Sequence, residues 1–294
     1  MQAIKYAAPT SIADAVEILD QHGSKARMLA GGTDLIVQVR EWVRDVDVFV
    51  DAKHIPELTE IAVAADGGVT LGAAAPCYQI YANAAITESF PGIVDAATII
   101  GGTGIQGRAS MGGNLCNSGP AADSTPPLII YSAVCNIAGP GGTRQVAAED
   151  FCTGPGQNVL AENELLVSLT LPPQPAGSGA HYLRFIPRNE MDIAVVSAGA
   201  WVQLDGDTIT GARIALGAVA PTPLYVEAAG AALVGQTAGE EAYEAAAAHS
   251  VAAASPITDM RGTIEYRQHL SGVLTKRALR GAVARAKGES HSAH

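Results

Sequence analysis

Two short glycine-rich segments about eighty residues apart, Ala30-Gly-Gly-Thr-Asp-Leu35 and Ser110-Met-Gly-Gly-Asn-Leu115, are the residues best suited to chemistry in this chain. Adjacent glycines followed by a short polar side chain turn successive backbone N–H groups to one side, which holds a phosphate without a lysine. That matters in a chain of formal charge −11. A charge-assisted hydrogen bond contributes roughly 1.5–3 kcal/mol net, so a few donors from two segments can anchor a diphosphate. Taken singly, either segment is an ordinary turn. Their pairing, each read as sitting where a strand ends, is what points to a ligand.

The second segment lies inside a polar, glycine-dense stretch, residues 98–123, read as bounded by apolar strands. Within it, Gly102-Thr-Gly-Ile-Gln-Gly107 satisfies G-x-G-x-x-G. A dinucleotide fingerprint must open a helix of about ten or more residues and be followed by an acid about 20 positions on. Here Gly107 is followed by Arg108-Ala-Ser-Met, then Gly112-Gly113-Asn114, with Pro120 close behind, and Asp123 comes early. The Rossmann reading therefore fails. Asp123 sits in a stiff, proline-flanked loop, where its carboxylate either accepts from a ribose or ribityl hydroxyl or caps a helix. Arg184 and Arg188 put two cations four residues apart, with a solvated surface pair as the plain alternative to a site. No Ser/His/Asp set or paired carboxylates assemble with any specificity, so hydrolytic catalysis lacks support.

The elements that must position these segments are mixed. A cap at Ser11 and apolar residues Ile12, Val16 and Leu19 predict a helix stopped by Gly23. Strands are predicted over residues 27–30, 46–50 and 69–72, and helices over 78–85 and 92–97. Residues 128–137 and 164–171 are strand or helix material. The run Pro172-Pro-Gln-Pro-Ala-Gly-Ser-Gly179 is the strongest linker signal. Division there gives residues 1–175, with lobes 1–57 and 58–175, then 176–287 and a polar tail, 288–294, carrying His291 and His294. Beyond the linker, Asp205-Gly206-Asp207 predicts a hairpin between strands at 193–204 and 208–219, and helices follow over 227–234, 240–254 and 261–286.

At 294 residues, with 48% hydrophobic and 16% charged content, the chain has material for a sizeable core and belongs to the soluble globular class. Eighteen basic against twenty-nine acidic residues repel nucleic acid and anionic membranes. No signal-peptide core and no run of about eighteen apolar residues is present, so a cytoplasmic location without a membrane span is expected. Cys77, Cys116, Cys135 and Cys152 are too widely spaced for a zinc or redox pair and read as buried thiols.

The order and spacing of several short motifs resemble one family: the FAD-binding medium subunits of the molybdenum hydroxylases, of xanthine dehydrogenase and aerobic carbon monoxide dehydrogenase type. The anchors are Ala30-Gly-Gly-Thr-Asp-Leu35, Gly112-Gly-Asn114 with Pro120-Ala-Ala-Asp123, Glu164-Leu-Leu166 before Leu171-Pro172, Asp192-Ile-Ala194, and Asp259-Met-Arg-Gly-Thr-Ile-Glu-Tyr-Arg267. The resemblance implies an α+β fold: a two-lobed vanillyl-alcohol-oxidase (PCMH)-type FAD-binding domain, then a smaller C-terminal α/β domain of the carbon monoxide dehydrogenase flavoprotein type. It implies FAD, held non-covalently by Leu29, Ala30, Gly31, Gly32, Thr33, Asp34, Leu35 and Ile36 in the first loop. The second loop is Ser110, Met111, Gly112, Gly113 and Asn114, with Ile100, Asp123, Leu166 and Arg184 near the cofactor. Arg184 stands where the family commonly has lysine, a planar fork in place of a point charge. The family's Gln-Ile-Arg-Asn reads Gly104-Ile-Gln-Gly107 here, which removes one arginine donor.

The function so implied is electron transfer, from [2Fe-2S] clusters on a small partner subunit to an external acceptor. Hydroxylation then belongs to a large molybdopterin subunit, in a dimer of heterotrimers, and this chain needs no metal of its own. A self-contained FAD-dependent reductase of the same fold is the alternative, and a nucleotide-sensing adaptor without redox work is a third.

Overall fold

The computed structural model describes residues 3–289. The tail residues His291 and His294 lie outside the described residues. The first lobe contains β1 (Lys5–Ala7), α1 (Ile12–His22), β2 (Ala26–Leu29), α2 (Leu35–Arg40), β3 (Val48–Asp51) and the short α3 (Pro56–Thr59). Ser11 Oγ accepts from the Asp14 N–H at 3.1 Å and starts α1; Gly23, at φ 52°, ends it in a conformation that costs glycine little. The buried face of α1, Ala15 and Leu19, packs on Ala26, Val48 and Val50 of a parallel sheet ordered β1-β3-β2. Pairing of Leu29 with Asp51 sets the carboxyl ends of β2 and β3 side by side. Ligands of such crossover units sit beyond those carboxyl ends, which is where the first glycine segment emerges.

The second lobe carries β4 (Ile61–Val63), β5 (Val69–Gly72), α4 (Cys77–Ala82), α5 (Ala84–Ser89), α6 (Pro91–Ala97), α7 (Thr103–Gln106), α8 (Met111–Asn117) and α9 (Thr125–Ile130). It continues with β6 (Val134–Gly139), β7 (Gly142–Ala147), β8 (Cys152–Gly154), β9 (Gln157–Asn158) and β10 (Leu165–Leu171). Its sheet is antiparallel, ordered β4-β5-β10-β6-β7. Because side chains alternate across a strand, β10 turns Leu165 into the core of the first lobe and Leu166 into that of the second. One strand thus seams the two lobes together.

The stretch 98–123 is not bounded by strands as expected; it runs from α6 to α9. Ile93, Ala96 and Ala97 before it, and Leu128, Ile129 and Ile130 after it, are buried on every side. Such short, wholly apolar runs have no period that separates helix from strand. No helix of more than seven residues lies between Gly102 and Ile130, and the fingerprint at 102–107 opens only the four-residue α7.

After a coil at 172–177 come β11 (Ser178–Phe185), β12 (Val196–Asp205), β13 (Thr208–Gly217) and β14 (Leu224–Tyr225), an antiparallel sheet in sequence order. Gly206, at φ 58°, makes the β12–β13 hairpin. Helices α10 (Glu227–Ala231), α11 (Glu240–Ala253) and α12 (Ile264–Ala286) complete a second core, where Leu270, Leu274, Ala278 and Ala282 pack with Val196, Ala198 and Ala200. The Asp259–Arg267 motif is structural. Buried Arg267 donates to the carbonyls of Val195 (2.7 Å) and Ala218 (3.1 Å) and to Asp259 Oδ1 (2.6 Å), fixing the turn that starts α12.

Among the described residues no helix is long and apolar enough to cross a membrane, and no three His, Cys, Asp or Glu residues are grouped to hold a metal ion. The four thiols are unpaired; Cys77 and Cys135 are buried, Cys116 and Cys152 half-buried. Burial pushes Cys77 and Cys135 up to about 12 and raises Cys116 and Cys152. Since the thiolate is the nucleophile, iodoacetamide at pH 8 is expected to leave all four unmodified over the time that fully alkylates a model thiol. Rapid labelling of the folded protein would contradict their placement.

Candidate functional site

The first glycine segment leaves β2 at Leu29 and becomes α2 at Leu35. The N–H groups of Gly31, Gly32, Thr33, Asp34 and Leu35 meet no backbone or side-chain acceptor among the described residues; pairing resumes with Ile36 N–H to Gly32 O at 3.1 Å. A row of unpaired donors of this kind is what an anion-binding turn presents. Gly32 has φ +76°, a conformation that disfavours any side chain. Gly31 is required for another reason: a Cβ there would lie 2.0 Å from the Arg108 carbonyl oxygen. The first segment thus touches the chain just ahead of the second.

The second segment differs from its expected form. It follows α7, not a strand, and its glycines lie in the first turn of α8, which Ser110 caps by accepting from the Gly113 N–H at 3.0 Å. Among the described residues the N–H group of Gly112 is left without an acceptor, as the first turn of a helix requires, while the backbone at Ser110 bridges to that at Pro76. The adjacent glycines do different work. A Cβ on Gly112 would lie 2.5 Å from Ala73 O, so its absence lets α8 pack on the backbone after β5. A Cβ on Gly113 would meet Ser110 Oγ at 2.9 Å and otherwise only Ala30 Cβ, 3.9 Å away. Gly113 therefore faces the first segment.

Between the two segments lies a cleft of about 520 Å³. Ala30, Gly31, Gly32, Thr33, Asp34 and Leu35 line one side, Ser110, Gly112, Gly113 and Asn114 another, and Ile100 and Leu166 also reach it. Five of the expected residues do not line it. Leu29 is buried beneath Gly32; Ile36 packs against Gly32 from the solvent side; Met111 is inside the second-lobe core. Asp123 and Arg184 form a buried ion pair at 2.6 Å.

That pair removes two plainer readings left open by the sequence, a helix cap at Asp123 and a solvated pair at Arg184 and Arg188. Asp123 is not the cap of α9, whose cap residue is Ser124; its carboxylate accepts from Tyr182 Oη at 2.7 Å and from Arg184. Arg184 and Arg188 are not a solvated pair. Arg188 is exposed, but Arg184 is inward, donating also to the carbonyls of Ile99 (2.9 Å) and Asp192 (3.3 Å). A fork with several donors can join those carbonyls and the carboxylate at once, where an ammonium supplies one compact charge. Burial pushes the Asp123 carboxyl up against the opposing pull of Arg184 and Tyr182, and burial with the Asp123 charge drives Tyr182 well up. Through Ile99, the network braces the wall that carries Ile100.

Several cleft residues escaped sequence reasoning. Gln38, on α2, donates to Asn117 Oδ1 on α8 at 2.8 Å and accepts from Arg44 Nε at 2.7 Å, a polar strap between the two segments. Asn158 donates to Cys116 O at 2.9 Å and ties β9 to α8. Asn114 Oδ1 accepts from Ser124 N–H at 3.1 Å, so that side chain holds the Asp123 loop. No local spacing ties residues 38 and 117; only the fold joins them. Gln106, which stands where the resembled family has arginine, is buried, donating to Thr98 O at 2.7 Å and accepting from Tyr81 Oη at 3.3 Å. The Gln106 side chain thus faces the interior, not the cleft.

Residues 2–174 match the family model described as the FAD binding domain in molybdopterin dehydrogenase, and residues 181–282 match the CO dehydrogenase flavoprotein C-terminal domain. A xanthine dehydrogenase FAD-binding subunit of Escherichia coli O157:H7 is 32% identical over 285 residues, covering 97% of each chain. The carbon monoxide dehydrogenase medium chain of Hydrogenophaga pseudoflava is 32% identical, covering 96% of this chain and 97% of its own. A solved carbon monoxide dehydrogenase structure from that organism superposes with a TM-score of 0.93 at 33% identity, over 97% of this chain and 98% of the other. Quinoline 2-oxidoreductase of Pseudomonas putida 86 gives a TM-score of 0.89 at 27% identity, over 97% and 98%.

Proposed function

The chain belongs to the FAD-binding subunits of the molybdopterin dehydrogenases, and from that premise we propose that its two glycine segments clasp the diphosphate of a non-covalently bound FAD. The observation that carries this reading is the row of unpaired N–H groups from Gly31 to Leu35, set across a cleft from the open Gly113 turn. Cradle and ligand fit: donors without acceptors suit an anion, and the missing Cβ of Gly113 leaves room for it. FAD, when bound, supplies the one- and two-electron chemistry. The protein residues hold and orient it. Gly31, Gly32, Thr33, Asp34 and Leu35 donate from one side, where Ala30 completes the lining, and Ser110, Gly112, Gly113 and Asn114 form the other wall. Ile100 and Leu166 give apolar surface, while Leu29, Ile36 and Met111 support the segments from behind. Asp123 and Arg184 hold the cleft wall through Ile99.

In this role the chain is the flavoprotein oxidoreductase subunit of a molybdenum hydroxylase. It takes electrons from [2Fe-2S] clusters on a small partner and passes them to an external acceptor, while substrate is oxidised on a large molybdopterin partner. Support comes from relatives named as subunits or medium chains, matched over nearly their full lengths, against a self-contained reductase. A dimer of such heterotrimers in the cytoplasm completes the reading; four unpaired thiols suit a reducing compartment. The division into 1–175 and 176–287 is supported by the coil at 172–177 and by the separate core of the C-terminal part.

The purified chain is expected to be yellow and to release FAD on denaturation. Stripped of flavin, it should rebind FAD with quenching of flavin fluorescence. A folded, colourless chain that ignores added FAD would overturn the proposal.

A further inference from the structure

The first glycine segment has a back as well as a front. A second cavity of about 310 Å³, lined by Lys53, Thr59, Gln79 and Arg108 among others, shares only Ala30, Gly31 and Ala74 with the cleft, so the two spaces flank the segment. From this back side, Lys53 Nζ donates to Ala30 O at 3.2 Å and Arg108 Nε to Gly31 O at 2.9 Å. A trans peptide aims its C=O and N–H in opposite directions, and no cis peptide occurs among the described residues. The peptide between Ala30 and Gly31 therefore turns the Gly31 N–H away from Lys53, and the next turns the Gly32 N–H away from Arg108. These are two of the unpaired donors of the cleft.

The two cations differ in charge balance. Lys53 also pairs with the buried carboxylate of Asp51, which offsets its charge. The Arg108 side chain makes one hydrogen bond, to Gly31 O, and no ion pair among the described residues. A cation bonded to a peptide carbonyl polarises that peptide and strengthens the N–H on its far side.

We infer that Arg108 is a positioning residue for the cofactor diphosphate: bonded to the Gly31 carbonyl, it fixes and electrostatically strengthens the Gly32 N–H donor that faces the cleft. The inference rests on the diphosphate reading proposed above. It gives this chain a cation behind the segment, at a position distinct from inward-facing Gln106.

The test uses the full chain freed of flavin, titrated with FAD, with ADP, which has a diphosphate but no flavin, and with riboflavin, which has a flavin but no diphosphate. In Arg108→Met, the dissociation constants of FAD and ADP should rise about fivefold to tenfold while that of riboflavin stays within about twofold. Arg108→Lys, keeping a cation, should recover most of the loss; Arg108→Gln, a neutral donor, should recover less. If Arg108→Met does not fold, the Gln and Lys pair carries the same comparison. Equal FAD and ADP binding by Arg108→Met and the native chain would overturn the inference and leave the diphosphate clasp standing. So would a parallel loss of riboflavin, which marks a merely structural role. A native chain that binds neither FAD nor ADP would overturn the clasp and this inference with it.

Discussion

The Gly113→Val protein is expected to fold and to purify without flavin. In the helix the substitution itself is mild, since valine is a better helix former than glycine. Its Cβ would sit 2.9 Å from Ser110 Oγ, so the serine must rotate and the cap bond to residue 113 weakens. Loss of such a cap costs about 1 kcal/mol, which for a chain of this size lowers the melting temperature by about 2–4 °C. Binding suffers far more. The two methyl groups would project from α8 toward Ala30, whose Cβ is 3.9 Å from the Cβ position, and fill the gap that a diphosphate must enter. Losing two charge-assisted hydrogen bonds, at about 1.5–3 kcal/mol each, weakens FAD by about a hundredfold or more. Flavin content of the purified variant, from the absorbance ratio near 450 and 280 nm, gives the answer. Gly107→Ala is the matched control, because a Cβ there meets nothing within 4 Å. Full flavin content in Gly113→Val would refute the assignment of α8 to the cleft.

That experiment separates two glycines that the sequence presents as one motif. Gly112-Gly113 was legible as a ligand-approaching pair, yet both line the cleft for different reasons: a Cβ on Gly112 would strike the backbone of Ala73, whereas one on Gly113 would point across the gap toward Ala30. The distinction depends on which neighbour approaches each Cα, which is set by the docking of α8 on the backbone after β5. Features encoded locally were legible: the Ser11 cap, the Gly23 stop, the Gly206 hairpin and the proline-rich coil after β10. The long alanine-rich C-terminal helices were legible too, because period and propensity agree over many residues. Arg184 was not. Its burial follows from the meeting of β11 with the Asp123 loop and Ile99, segments 61 and 85 residues distant in the chain. The Gln38–Asn117 strap was invisible for the same reason, as was the contact of Gly31 with Arg108 that brings the two segments together.

Replacing Arg285 by methionine should produce the largest loss of stability. Asp95 on α6 is buried with 4% exposure, and Arg285 on α12 grips it with both arms, Nη1 to Oδ2 at 2.6 Å and Nη2 to Oδ1 at 2.8 Å. His181 Nδ1 lies 2.9 Å from the same carboxylate, and the Tyr182 N–H donates to it at 3.0 Å. These bonds join the second lobe to the first strand and last helix of the C-terminal part. Methionine removes the guanidinium and leaves the carboxylate buried, a change that costs about 3–5 kcal/mol. Asp95→Asn with Arg285→Met should cost less than the sum of the single changes, because each single variant strands its partner.

The pH dependence gives the sign independently. Burial alone would raise the Asp95 carboxyl, but Arg285 and His181 overcome it and hold the group below its ordinary value of 3.8. A carboxyl depressed in the folded state contributes stability above its unfolded pKa, and that contribution is lost as pH falls through the folded one. Between about pH 5 and pH 2, the native melting temperature should therefore fall more steeply than that of Arg285→Met, whose carboxyl is no longer depressed by the guanidinium and whose deficit narrows in acid. A deficit that stays constant across this range, or a melting temperature unchanged at pH 7, would show that the Asp95–Arg285 pair does not hold the two parts together.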